Sequence, residues 1–511
     1  MRDLIELIHR LPWAKLQDSS MWSTLLPAKS KMAHLFALIQ ANSDLTEGEA
    51  AQHLYGNPHA LARLRSLKSK TKERLLGAIF LLDLNEPGFT DRQQAHYECQ
   101  RRWATAMALS AKRAPLVAIE QLEQMLRHAQ HFEFTELAMS AAFHLRHHYG
   151  ALMGDVEKYR YYRELYRKYQ TLWTLENQAE ELYTDIISSM ANTREPQQDI
   201  GRLAETYFRR IEPHLQRHTA FRLHLNGRLM QMLIYSSRND YRTMAALCED
   251  ALAFFQSKPY KSQLSLQIFY YQLVVCSVHL RDFGRGQAII RQHGDVYPRG
   301  SFNWFKVQEL YFLLALHTQH YDDAFDICAD ALSEPDLPKQ PPAVRETWKV
   351  YHAYTQFLAR IRRADRLPDP DFRLGKFMNE VPVFSKDRRG MNIPILIAQM
   401  LFDTLQKRYD AAIDRVEALE KYTDRYVRKN EHFRSNCFLK MLLQIPKAAF
   451  HREAAARKAG RYRNMLSQMP IEIANQPHEI EVIPYEDLWE MVLDLLPQER
   501  IRSRRQREFL G

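Results

Sequence analysis

The chain has 511 residues, which is too long for one hydrophobic core, because single cores stop growing at about 250 to 300 residues. It contains only 16 glycines and 22 prolines, whereas an α/β enzyme of this length needs many glycines in phosphate-binding loops and strand-to-helix turns. The formal net charge of +10 permits contact with nucleic acid or with acidic proteins but selects neither. These totals favour long helices joined by short links.

Cysteine spacing and the absence of catalytic motifs argue against several further classes. The five cysteines lie far apart and form no close pair, which argues against a disulfide framework and against a zinc ribbon. A phosphate-binding loop, a GxGxxG motif, a GxSxG motif and an HExxH motif are all absent. We therefore predict a protein that is not an enzyme and that has no catalytic residues, metal or cofactor, although an enzyme with an unfamiliar site stays open.

The N-terminal segment and the longest uncharged run bear on localisation. Residues 1–16 carry five charged side chains and lack the continuous apolar segment of a signal peptide. Residues 262–280 are uncharged but contain three glutamines, three serines and a histidine, which are too many polar groups for a helix that faces lipid. We expect a cytoplasmic protein with no membrane contact, in which this run forms a buried helix.

Residues 29–84 have the layout of a helix-turn-helix unit. Thr46 and Glu49 form a capping-box pattern that opens a short helix. A Gly-Asn-Pro turn then leads into a longer helix over residues 59–82. In detail, residues 47–56 and the Leu-Arg-Ser-Leu-Lys-Ser-Lys run of the longer helix resemble the winged-helix DNA-binding domains of bacterial transcriptional activators. The resemblance implies a regulator that binds DNA, although no strand pair for a wing follows the longer helix.

The longer helix has an apolar stripe on one side and small or basic residues elsewhere. In a major groove it would present small side chains to base edges while its basic flanks contact phosphates. The alternative is a solvated basic helix that covers the end of a helical stack. The candidate nucleic-acid-binding residues are Arg63, Arg65, Ser66, Lys68, Ser69, Lys70, Lys72 and Arg74.

Two clusters of ring-bearing residues lie between residues 128 and 169. His144, His147 and His148 share a helical spacing that could place imidazoles around a metal ion, but no carboxylate or cysteine is spaced to complete the set. Surface or groove positions are the usual place for histidines on helices. Residues 157–169 interleave five tyrosines with basic residues, which suits stacking on single-stranded RNA. Four of these tyrosines share one helical face, and this favours ordinary packing instead.

Similar helix junctions recur between residues 239 and 409. At each one, two polar residues precede an aromatic residue that begins a second helix. The aromatic residues are separated by 42, 38 and 88 positions, and the last step leaves room for two units. Steps of the same size towards the N-terminus reach residues near 199, 155 and 115, which are plausible helix starts. The spacing predicts helix pairs of roughly 40 residues. The four junctions are Asn239-Asp240-Tyr241, Arg281-Asp282-Phe283, Gln319-His320-Tyr321 and Lys407-Arg408-Tyr409.

These junctions resemble the tetratricopeptide repeat family, in which an aromatic residue opens the second helix and small residues follow three and ten positions later. Tyr321, Ala324 and Ala331 match this pattern fully, and Tyr409 with Ala412 matches it in part. The first-helix signature of that family, a Trp followed by Leu-Gly and then Tyr, is absent. The resemblance implies a superhelical solenoid of antiparallel helix pairs, with a concave binding face over residues 110–460.

The sequence divides into three predicted parts. A small N-terminal helical domain covers residues 1–90, tetratricopeptide-like helical repeats cover residues 91–465, and a C-terminal capping helix with an Arg-rich tail covers residues 466–511. The helix over residues 485–496 has one apolar and one acidic face, which suits it to cover the exposed end of the stack. The tail either contacts an acidic partner or serves as a solubilising terminus. Its candidate contact residues are Arg500, Arg502, Arg504, Arg505 and Arg507.

The leading functional prediction is a cytoplasmic, all-α scaffold that binds a protein or peptide partner in its concave face. The first alternative is a transcriptional regulator whose N-terminal unit binds DNA and whose repeats sense a ligand or partner. A weaker alternative is an RNA-binding helical-repeat protein. Steep dependence of binding on ionic strength would distinguish the two nucleic-acid alternatives from the first function.

Overall fold

The computed structural model of the chain is helical, as predicted, and the ranges it describes contain no strand. Contacts between residues divide the chain into two compact units, the first made of residues 1–176 with 258–262 and the second of residues 177–257 with 263–511. Among the helices of these ranges, none combines the length and the hydropathy that a membrane crossing requires. The described residues are 1–17, 19–42, 44–82, 91–192, 197–370, 372–373, 375, 377, 392–414, 433–471 and 481–499.

Residues 1–82 of the first unit form short helices around one apolar core that includes the buried ring of Trp13. The predicted capping box is present, because the Glu49 amide donates to the Thr46 hydroxyl (3.3 Å) and the Glu49 carboxylate accepts from the Thr46 amide (2.9 Å). Gly56, with a φ of 68°, ends the short helix as the predicted turn requires. The helices are α1 (Arg2–Arg10), α2 (Ala14–Gln17), α3 (Ser20–Leu25), α4 (Lys31–Ala41), α5 (Glu47–Tyr55) and α6 (Leu61–Ala78), which continues into a 3-10 turn (Ile79–Leu81).

The remainder of the first unit consists of long helices that pack on their neighbours in the chain. They enclose a second core, which contains Met125, Leu126 and Leu145. The helix starts predicted near residues 115 and 155 are confirmed within one residue. The helices are α7 (Asp91–Ala111), α8 (Pro115–His131), α9 (Thr135–His147), a π-helical turn (His148–Leu152) and α10 (Val156–Asn192), which crosses the boundary between the units.

The second unit consists of helices that pack in consecutive pairs. Its helix α14 is the predicted buried helix, although Leu264 in its first turn stays exposed. The predicted helix starts at Tyr241, Phe283 and Tyr321 are confirmed. The helices with defined ends are α11 (Gln197–Leu215), α12 (Phe221–Ser237), α13 (Tyr241–Gln256), α14 (Gln263–Leu280), α15 (Phe283–His293), α16 (Phe302–His317), α17 (Tyr321–Ser333), α18 (Pro342–Arg360), α19 (Asn392–Leu405), α20 (Phe433–Leu442), α21 (Gln444–Lys447), α22 (Arg452–Ser467) and α23 (Tyr485–Leu495), with 3-10 turns at Gly294–Val296 and Leu337–Lys339.

One backbone turn recurs through the second unit. A residue other than glycine adopts a left-handed φ, as Asn239 (55°) and Gln319 (61°) do, and the next amide donates to the carbonyl five residues earlier. This is the hydrogen bond of the Schellman motif, which closes the first helix of a pair. One of these turns lies at residue 363. This position falls between Tyr321 and Tyr409, the interval of 88 residues in which the sequence left room for two units without locating the junction between them. The donating amides belong to residues 240, 282, 320, 363, 408 and 450, so the turn recurs every 38 to 45 residues.

Candidate functional site

Seven of the eleven exposed large apolar side chains described in the first unit lie between residues 116 and 161, on α8 to α10 and at the π-helical turn that follows α9. Single exposed apolar residues are normal on any protein, but a concentration of them marks a surface that another molecule covers. The lowest exposed fraction in the group is 41% and the highest is 76%. Its members are Leu116, Val117, Phe143, Leu152, Met153, Val156 and Tyr161.

The π-helical turn after α9 places several of these residues in solvent. Its amide-to-carbonyl bonds extend five residues and more, with Met153 donating to His148 (3.1 Å) and Asp155 donating to Tyr149 (2.8 Å). Gly150 is required within the turn, because a Cβ at this position would lie 2.6 Å from a ring carbon of Tyr159. The turn is thus closely packed on α10 while its last residues point outward.

Two tyrosines and a carboxylate hold this turn against α8 and α10. The rings of Tyr149 and Tyr162 stack with centroids 5.5 Å apart, and both hydroxyls donate to Glu123, at 2.9 Å and 3.3 Å. The Lys158 ammonium lies 4.3 Å from the centroid of the Tyr149 ring. Tyr162 is therefore a packing residue, as its helical face predicted, and it is not presented to a nucleic-acid base.

Two cavities open beside the turn, and His147 lines both. The larger has a volume of about 660 Å³ and is lined by Phe143, Val156 and Tyr159 together with Arg146. The smaller has a volume of about 370 Å³ and is lined by both apolar and polar side chains. We call the two cavities, with the exposed side chains of Phe143, Leu152 and Val156 that line them, the π-turn groove. The apolar part of the lining of the smaller cavity includes Pro115, Ala118, Ile119 and Leu122.

The polar groups of the smaller cavity are three imidazoles, one guanidinium and the Ser110 hydroxyl, which donates to the Ala106 carbonyl (2.8 Å). His144 and His148 make ring contacts and no hydrogen bond with the described part of the chain, and His148 is only 8% exposed. Burial lowers the pKa of both histidines, so both are neutral near pH 7. The Arg113 side chain is exposed and forms no ion pair among the described residues. These groups are free to bind a ligand.

The same histidines do not converge on a metal ion. Over the ranges that the structure describes, no group of three His, Cys, Asp or Glu side chains has the arrangement of a metal site. Asp155, the one carboxylate of the larger cavity, accepts a hydrogen bond from the Lys158 amide (3.0 Å) at the start of α10. His144, His147 and His148 line a cavity instead.

The candidate nucleic-acid residues of α6 fall into two groups. Lys68 pairs with Glu47, Lys72 pairs with Asp3 (2.7 Å) and Arg74 donates to the Leu25 carbonyl (3.0 Å), so these three hold α6 on its neighbours. The lysine partners lower the pKa of Glu47 and of Asp3, in each case mainly through the hydrogen bond. The exposed side chains that form no ion pair in the described structure are Arg63, Arg65 and Lys70, with Ser66 and Ser69 beside them.

In the second unit, residues 481–496 pack against several helices. Helix α23 packs on α22 at the last pair, as a capping helix would, and also on α19 and α20. Its buried residues include Tyr485, Trp489 and Leu493, which lie on more than one side of the helix. The predicted contact residues Arg500, Arg502, Arg504, Arg505 and Arg507 lie outside the described residues.

Polar contacts attach the same segment to successive turns. Gln319 donates to Asp487 (3.1 Å), while Arg363 (2.9 Å) and Arg452 (2.8 Å) both donate to Asp494. The imidazole of His317, which is buried, lies 2.7 Å from the Glu481 carbonyl oxygen. These contacts lie at or next to the ends of α16, α18 and α22, so residues 481–494 are attached to three separate places in the second unit.

Comparison with known proteins yields no match: no protein-family model, no curated protein and no solved structure matches the chain.

One feature of the sequence indicates the π-turn groove, although residue spacing alone did not predict it. An Ala-Leu-Met-Gly run follows the histidines, at a place where a turn would ordinarily carry polar residues.

Proposed function

We propose that this chain is a non-enzymatic scaffold that binds a segment of a partner protein in the π-turn groove. In this proposal the helix pairs form a superhelical solenoid of the tetratricopeptide type, and the first unit presents its open binding face. The partner segment is a peptide with apolar and acidic side chains. Cytoplasmic localisation fits this function and belongs to the same proposal.

The observation that carries the proposal is the exposure of Leu152 (66%) and Val156 (56%) at the two cavities. Covering such a side chain contributes on the order of 1.5 to 3 kcal/mol relative to leaving it in water. Apolar surface beside preformed cavities is a common property of peptide-binding grooves. The two residues are thus suited to contact a partner.

Charge supports an acidic partner. The lining of the groove carries Arg113 and Arg146, while the Asp155 carboxylate is engaged by the backbone. Arg146 lies over the rings of Phe143 (5.1 Å) and Tyr166 (4.6 Å), where its charge remains available to a carboxylate. Complementary charge selects partners and accelerates association.

Selection from a library of random 12-residue peptides displayed on phage tests the proposal on the full-length chain. We expect enrichment of peptides that combine aliphatic or aromatic residues with Asp or Glu. The selected peptides should bind the Leu152→Asp and Val156→Asp variants at least tenfold more weakly. Leu264→Asp is the matched control, because Leu264 is 63% exposed and lies on α14 of the second unit. Equal binding to wild type and to both groove variants would exclude the groove.

A second candidate function is contact with nucleic acid. It is favoured by the basic side chains of α6 that form no ion pair among the described residues. Arg63, Arg65 and Lys70 are exposed on one helix after a capped short helix, which is the arrangement of a helix-turn-helix reader. Replacing all three by Gln leaves the Lys68 and Lys72 ion pairs intact, so the fold should persist. We expect any gel shift with duplex DNA to be lost in this variant and to weaken steeply with salt in the wild type. A shift that survives in the variant would remove α6 from the interface.

A further inference from the structure

We propose that the smaller cavity of the π-turn groove binds a carboxylate attached to an apolar side chain, with His148 and Arg113 as its hydrogen-bond donors. This inference rests on the proposed function and names the part of the partner that anchors it. A peptide offers this chemistry at a C-terminal aliphatic residue, or at an Asp or Glu next to one.

The first step of the argument is the state of His148. Its imidazole is buried, lines the cavity and has no hydrogen-bond partner among the described residues. The His148 ring nitrogens are not among the fully buried atoms that lack a hydrogen-bond partner, so solvent in the cavity reaches them. A ligand that accepts a hydrogen bond from this imidazole would take the place of that solvent.

The second step is charge. The lining of the cavity contains Arg113, His144, His147 and His148 and no carboxylate. The backbone of Arg113 is held in the left-handed position (φ 59°) of a Schellman turn, in which the Ala114 amide donates to the Leu109 carbonyl (3.0 Å). A guanidinium and imidazole donors in the lining of one cavity favour an anion.

The third step is shape. About 370 Å³ lies near the lower end of the range for ligand pockets, which suits one amino-acid residue more than an extended ligand. Ala118, Ile119, Leu122 and the exposed Leu152 contribute apolar side chains to the lining. A ligand with an aliphatic group and a carboxylate packs against these side chains and also accepts hydrogen bonds from the donors. Inorganic phosphate can only accept the hydrogen bonds.

Saturation-transfer NMR with the full-length chain tests the assignment with four probes. N-acetyl-leucine carries the terminal carboxylate with an aliphatic side chain, and N-acetyl-leucinamide is the same molecule without the charge. N-acetyl-glutamate α-amide carries a side-chain carboxylate only, and inorganic phosphate carries no apolar group. We expect N-acetyl-leucine to bind at least tenfold more tightly than its amide and than phosphate. The glutamate amide shows whether a side-chain carboxylate suffices.

Two variants connect the binding to the cavity. Arg113→Gln removes the charge and keeps the same backbone requirement, while His148→Phe keeps a buried ring and removes its donors. Each should weaken N-acetyl-leucine binding at least tenfold. His148→Phe should leave the melting temperature unchanged or higher, which a purely structural histidine would not do. Arg217→Gln, at an exposed arginine of the second unit, is the control and should change nothing.

Equal affinity for N-acetyl-leucine and its amide, or unchanged binding by Arg113→Gln, would overturn the carboxylate assignment. If the displayed peptides still require Leu152 and Val156 in that case, the groove functions without a carboxylate anchor and the proposed function stands. If instead N-acetyl-leucine binds through Arg113 while no displayed peptide is enriched, the anchor stands and the peptide function falls.

Discussion

Replacement of Arg434 by Met should release the C-terminal helix from the second unit. The Arg434 guanidinium is fully buried and donates to both oxygens of Glu481 (2.9 and 2.7 Å), to both oxygens of Glu486 (3.0 and 2.6 Å) and to the Met469 carbonyl (2.6 Å). These carboxylates raise the pKa of Arg434, so it stays charged. Methionine fills much of the same volume without replacing any of these bonds.

The free-energy cost of the substitution follows from the Glu481 carboxylate, which stays buried after Arg434 is removed. Glu481 is also fully buried, and its carboxylate also accepts a hydrogen bond from the Tyr485 amide (2.8 Å). Removing one member of a buried ion pair typically costs about 3 to 5 kcal/mol, because the other charge is left without compensation. Replacing both, as Arg434→Met with Glu481→Leu, should recover part of that loss, since an apolar pair of similar volume is often tolerated.

Hydrogen exchange read by mass spectrometry on the full-length chain measures the effect at α23 itself. A loss of about 3 to 5 kcal/mol corresponds to exchange faster by about two to three and a half orders of magnitude. Arg463→Met is the control, because Arg463 is exposed, pairs with Glu490 of the same helix (2.8 Å) and should contribute at most about 1 kcal/mol. Exchange of residues 485–495 within threefold of wild type in Arg434→Met would refute this reasoning.

Three further predictions concern stability. Ala324→Trp should cost about 1 to 3 kcal/mol or more by overpacking a fully buried position of α17, and thermal unfolding should show no comparable loss for Ala329→Trp at an exposed position of that helix. Deletion from residue 485 should cause aggregation, measured by light scattering, whereas deletion of residues 500–511 should leave the melting temperature unchanged. Burial lowers the pKa of His144 and His148, so the unfolded chain binds more protons and stability should fall as pH drops below about 6.5. His148→Phe should reduce the difference in melting temperature between pH 7.5 and pH 5.5.

Local sequence patterns were sufficient to predict some of the helix junctions of the second unit. A polar residue ahead of an aromatic one marks the starts at Tyr241, Phe283 and Tyr321, because the turn and the helix start both depend on neighbouring residues. The turn at residue 363 escaped detection because Ala364 follows it and no aromatic residue marks the position. Its hydrogen bond, from the Arg363 amide to the Leu358 carbonyl (3.0 Å), identifies it in the structure.

The candidate sites depended on contacts that sequence spacing does not encode. Helical geometry assigned Lys68 and Lys72 to a basic flank, but their partners Glu47 and Asp3 come from distant helices. The smaller cavity brings a turn after α7 next to the end of α9, and the π-helical turn shifts the helical register there by one residue. Periodicity of an ordinary helix therefore could not locate it.

The recurring turn and residues 481–494 together limit the number of helix pairs in this part of the second unit. Because the same turn closes the first helix of each pair, the gain or loss of one pair would leave the geometry of the other turns unchanged. Residues 481–494 cannot follow such a change, since they contact Gln319, Arg363 and Arg452 from one continuous stretch. An added pair between α16 and α22 would move these contacts out of reach. Through these contacts the segment fixes the number of helix pairs between Gln319 and Arg452.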